Sequence, residues 1–81
     1  MPKFVDYHAD LKLPAEAIQM LREAAKSGTY DKFQSRQLEV FYNADGKVFC
    51  IVEAPNEEAV RQRHASLGVD CGDVHQVKSL L

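Results

Sequence analysis

Hydrophobic and polar positions along the chain change period four times and outline six elements. Lys3–His8 (KFVDYH) alternates with a period of two and is rich in aromatic and β-branched residues, which predicts a strand. Over Ala15–Ser27 the period becomes that of a helix, with Ile18, Leu21 and Ala25 forming an apolar stripe broadened by Ala17, Met20 and Ala24. Pro14 suits the first turn of that helix and Gly28 its C-terminal stop. Thr29–Ser35 reads as a loop whose Tyr30 and Phe33 tuck against a neighbouring part of the chain. Arg36–Asn43 and Lys47–Ala54 alternate again, and the Asn43-Ala44-Asp45-Gly46 turn joins them into a hairpin. Asn56 is placed to cap a second helix, with Glu57 and Glu58 near its positive end, Val60, His64 and Leu67 on one face, and Gly68 as its stop. A weaker strand, Asp73–Ser79, closes the chain.

The resulting order, β-α-β-β-α-β, is that of a ferredoxin-like α+β sandwich. Right-handed crossovers then set a four-stranded antiparallel sheet in the order 4-1-3-2, with two helices on one face. At 81 residues the chain is expected to form a single domain spanning residues 1–81.

Two helices cover one face of such a sheet, so the other needs an account. Val5, Leu38, Val40, Cys50, Val52 and Ala54 suit packing beneath the helices. Phe4, Phe41, Phe49 and Ile51 would then point the other way, among Asp6, His8, Glu39 and Glu53. A surface with three phenylalanines and an isoleucine is too apolar to be left to water, which predicts a homodimer through the open sheet face.

Composition narrows the partners. The residues are 46% apolar and 27% charged, with a formal net charge of −2 and no basic block, a balance that speaks against nucleic acid. No apolar run approaches the roughly 18 residues of a membrane span and the first residues lack an apolar leader core, so no membrane association and a cytoplasmic location are expected. Cys50 and Cys71, the two cysteines, fit reduced thiols in such a compartment.

Candidate chemistry gathers around the three histidines. His8 ends the first strand, His64 lies in the last turn of the second helix, and His75 is near the start of the last strand. The predicted topology brings all three to one end of the sheet, and Asp6 shares the face of His8 two residues away. Imidazole with carboxylate suits divalent nickel, zinc, copper or cobalt. Asp6, His8, His64 and His75 are therefore the candidate metal ligands. Plainer roles exist for each: a hydrogen-bonded core residue for His64, an exposed edge residue for His75, and a mutual pair for Asp6 and His8.

The chain also resembles a small bacterial family of ferredoxin-like domains typified by a dimeric nickel-binding protein. Phe4-Val5-Asp6-Tyr7-His8, Gly46-Lys47-Val48-Phe49-Cys50, Glu53-Ala54-Pro55, Ala59-Val60, His64 and the Gly68–Val77 tail carry the resemblance. It implies a non-catalytic protein that binds or sequesters nickel, with Asp6, His8 and His64 matching the family pattern; His75 is added by topology alone. The chain departs from that pattern in a shorter Thr29–Ser35 loop and in Val69-Asp70-Cys71-Gly72, where Pro-Ala-Asp is usual. The competing expectation is a dimeric α+β barrel enzyme, a small monooxygenase or isomerase acting on an apolar molecule, with Tyr7, His64 and Glu53 as acid/base groups.

Overall fold

A computed structural model describes residues 1–11, 13–69 and 71–81; Lys12 of the first connector and Asp70 of the departing turn lie outside the described residues. The elements run β1 (Lys3–His8), α1 (Ala15–Ser27), β2 (Arg36–Tyr42), β3 (Val48–Glu53), α2 (Glu57–Ser66) and β4 (Asp73–Val77). All neighbouring strands are antiparallel in the order β2-β3-β1-β4, the ferredoxin-like arrangement expected.

Local chemistry sets the element ends. Gly28 takes φ 63° and its N–H closes α1 on the Ala24 carbonyl, a left-handed stop that a residue without Cβ adopts freely. At α2 the Asn56 side chain accepts from the Ala59 N–H at 2.9 Å, satisfying one of the otherwise unpaired first-turn donors. In the hairpin turn the Asn43 Oδ1 accepts from the N–H groups of Asp45 and Lys47, and so stands in for backbone acceptors. The loop before β2 is built on Asp31. One of its carboxylate oxygens accepts from Phe33 and Ser35, and the other holds Arg63 of α2 at 2.7 Å. This tie fixes the helix one residue before His64.

Strand pairing decides which face each residue takes, and it overturns part of the expected division. Phe4, Asp6 and His8 stand opposite Val52, Cys50 and Val48, so they point toward the helices and not toward the open face. Phe4 is 3% exposed and belongs to the core with Val48, Cys50, Val52, Ala54, Ala59 and Val60. Val5 and Tyr7 instead stand opposite Ile51 and Phe49 on the open face, where the Tyr7 and Phe49 rings lie 4.8 Å apart. The physical reason is that β1 is apolar on both parities, with an aromatic ring on each. Alternation alone cannot choose between such faces, whereas burying Phe4 removes the larger wholly apolar side chain from water. The open face thus carries Val5, Tyr7, Phe41, Phe49 and Ile51, without Phe4.

Close backbone approach fixes the turn into β4. A Cβ on Gly72 would meet the Tyr7 carbonyl oxygen at 2.6 Å, too near for any side chain. Gly72→Ala is therefore expected to push β4 from β1 and destabilise the protein by about 1–3 kcal/mol, the usual range for overpacking. Urea unfolding measures this, and an unchanged midpoint would show that the two strands separate without cost.

Candidate metal centre

Their spacing of two keeps Asp6 and His8 on one face of β1, the register with β3 turns that face inward, and α2 brings His64 down onto them. The three are buried, at 0%, 8% and 7% exposure. The His8 Nε2 is 2.8 Å and the His64 Nε2 3.1 Å from the same carboxylate oxygen, Asp6 Oδ1. The imidazole rings lie side by side with centroids 5.3 Å apart. One donor atom from each residue falls within 4.8 Å of the others, close enough to share one ion after small side-chain rotations.

The hydrogen bonds around His64 define what the cluster lacks. Its Nδ1 is 2.8 Å from the Val60 carbonyl oxygen, which only accepts, so Nδ1 carries the hydrogen. In the neutral ring Nε2 then presents a lone pair to the Asp6 carboxylate, and two acceptors this close require a positive particle between them. A proton or a metal ion satisfies the requirement. Among the described residues the second carboxylate oxygen, Asp6 Oδ2, is buried without a hydrogen-bond partner. An unpartnered buried carboxylate oxygen is costly, and it is a free ligand position. Donation of the distal ring N–H to a backbone carbonyl is also the usual support of a metal-bound histidine. The residues present therefore fit a divalent cation.

Electrostatics agree with this geometry. Burial acts to lower the His64 pKa, but the hydrogen bonds to Asp6 and Val60 and the Asp6 charge outweigh it. Its pKa accordingly lies above the ordinary imidazole value. The Cys50 thiol, paired across the strands with Asp6, is pushed up to about 12 by burial and then by the Asp6 charge. Cys71 is raised for the same two reasons, in the same order. Both cysteines are free and neutral near pH 7, so neither is a thiolate donor in the absence of metal. A recess of about 580 Å³ opens beside His8 and is lined in part by Cys71.

His75 stands apart. It pairs with Val5 on the open face, so the sheet separates it from Asp6, His8 and His64. The topology does bring it to the same strands, but its parity is opposite. The acid/base trio of the enzyme reading is not assembled either. Tyr7 and His64 project from opposite faces of the sheet, while Glu53 is held by Tyr30 and by Arg36 at 3.1 Å. The Val60 carbonyl and the Asp6–Cys50 pairing escape sequence reading. Only the Val60–His64 spacing of four residues hints at the first, and the second exists only once β1 and β3 are in register.

Among the described residues no helix is long and apolar enough to cross a membrane. No functionally curated protein matches the chain. The crystal structure of SCO4226 from Streptomyces coelicolor A3(2) shares the fold, with a TM-score of 0.75 and 20% sequence identity over 98% of this chain and 99% of that one. A family model described as nickel responsive protein SCO4226-like matches residues 4–77. With that match over nearly its whole length, the chain belongs to the SCO4226-like family of nickel responsive proteins.

Proposed function

We propose that this protein is a small homodimer that binds a divalent transition-metal ion, nickel in preference, for binding or sequestration without catalysis. One observation carries the reading. Two imidazole nitrogens converge on one oxygen of a fully buried carboxylate whose other oxygen, among the described residues, has no hydrogen-bond partner. Asp6, His8 and His64 would hold the ion through two neutral nitrogens and one anionic oxygen, a donor set suited to borderline metals. The family description favours nickel among these. The direct test is metal analysis and calorimetric titration of protein purified without a histidine tag. About one nickel per protomer supports the reading; no saturable uptake from excess nickel overturns it.

The pH response follows from His64. Its raised folded pKa means that the proton on Nε2 stabilises the metal-free fold fully below the ordinary imidazole value of about 6.5. That contribution is lost as pH rises through the folded value. Metal must displace the same proton, so nickel affinity should weaken as pH falls through this window, by about tenfold per pH unit for each proton released. Calorimetry in buffers of different ionisation enthalpy counts those protons. A pH-independent affinity would exclude His64 as a ligand.

The homodimer rests on the open face. Tyr7, Phe49 and Ile51 form its centre and Phe41, 54% exposed, extends it. Sedimentation at micromolar concentration is expected to give twice the chain mass, and Phe49→Glu, by placing a charge in the joint, should give monomer. A monomeric wild-type protein would sink this part of the proposal while leaving the metal centre intact.

A further inference from the structure

Helix α1 is amphipathic and 13 residues long, yet none of its residues is fully buried. Its apolar stripe does not close onto the sheet. Between Ile18, Leu21 and Ala25 on the helix and Leu38 and Val40 on β2 lies a cleft of about 450 Å³. That volume is within the roughly 300–1,000 Å³ typical of small-molecule pockets. A second recess of about 210 Å³ shares Leu13, Ile18 and Tyr42 with it and extends the space toward the hairpin turn. The result is an elongated apolar trough. Asp6, His8 and His64 do not line it, so it is distinct from the metal centre.

The charge on the trough lining is positive in sum. Arg22 and Lys26 stand one helical turn apart on its rim. Among the described residues no carboxylate lies within ion-pair distance of either, whereas Arg36, Arg61 and Arg63 each hold one. Arg22 donates to the neutral Gln19 amide, at 3.2 Å. The one acidic residue on the lining, Glu39, accepts from the Val40 backbone N–H. Two cations and one carboxylate leave a net charge of +1, complementary to a monoanion.

We infer that the trough between α1 and β2 is a binding site for a medium-chain aliphatic carboxylate, its headgroup at Arg22 and Lys26 and its chain along Ile18, Leu21, Leu38 and Val40. Apolar walls supply the affinity and the two unpaired cations the orientation and the preference for an acid. The site is independent of the metal reading, since no residue is shared.

Sodium decanoate below its micellar concentration is the probe, followed by calorimetry and by amide chemical shifts. One molecule should bind per protomer, with shifts confined to residues 18–26 and 38–42, in metal-free, nickel-loaded and His64→Ala protein alike. Decanol should bind at least about tenfold more weakly, since it lacks the charge the two cations recognise. The doubly substituted R22Q/K26Q protein, altered only at exposed positions, should keep its fold by circular dichroism and lose the preference for decanoate. Ala25→Phe should fill the trough and abolish binding of both. Dissociation constants weaker than about 1 mM, shifts centred on Tyr7 and Phe49, or an unaltered preference in R22Q/K26Q would each overturn the assignment.

Discussion

Asp6→Asn should lower nickel affinity by at least about 100-fold, because even outer-shell partners of metal ligands contribute about 10–100-fold. Asparagine keeps the volume and one acceptor oxygen facing both imidazoles, so the inner face of β1 stays packed. What it removes is the charge at the point where both Nε2 atoms meet and the ligand position offered by Oδ2. His8→Ala and His64→Ala should lose comparable affinity, each withdrawing one nitrogen. His75→Ala is the informative contrast. Topology alone offers it as a ligand, whereas its pairing with Val5 sets it on the other side of the sheet. Its nickel affinity should stay within about twofold of wild type, inside the scatter expected of a surface substitution. Equal losses in His75→Ala and His64→Ala would refute the site drawn here, and so would full affinity in Asp6→Asn.

Nickel should also raise the thermal midpoint by about 10–20 °C at a free concentration one hundred times its dissociation constant. At that saturation a ligand specific for the native state contributes about 2.7 kcal/mol. A domain of this length shifts by about 4–8 °C for each kcal/mol. The effect should be absent in His64→Ala, which removes one of the two imidazole ligands. It should persist in Phe49→Glu, whose altered side chain lies on the opposite face. Differential scanning fluorimetry with and without nickel reads both. A shift of equal size in wild type and His64→Ala would place the ion elsewhere.

Much of the architecture was legible because local chemistry and long-range pairing agree. The Asn43–Gly46 turn, the Asn56 cap, the Gly28 stop and the two helical periods predict the elements within a few residues of their observed ends. Right-handed connection then leaves few topologies, and the observed strand order is the one expected. The candidate site was legible in its members but not in its setting. Asp6 and His8 share a face by their spacing of two, whatever that face is. His64 sits on the buried side of α2 because Val60, one turn earlier, is wholly buried.

The sequence by itself determined the element order, the strand parities, the pairing of Asp6 with His8 and the family pattern that includes His64. Tertiary structure alone decided that this parity of β1 turns inward, that His64 meets Asp6 across 58 residues of chain, and that His75 does not. The reason is that a period of two relates side chains within a strand but carries no sign. That sign comes from register, here from Phe4 seated opposite Val52 beneath the helices. The same register buries the Asp6 carboxylate, one of whose oxygens has no hydrogen-bond partner among the described residues, an arrangement that arises only when strands and helix distant in the chain close together.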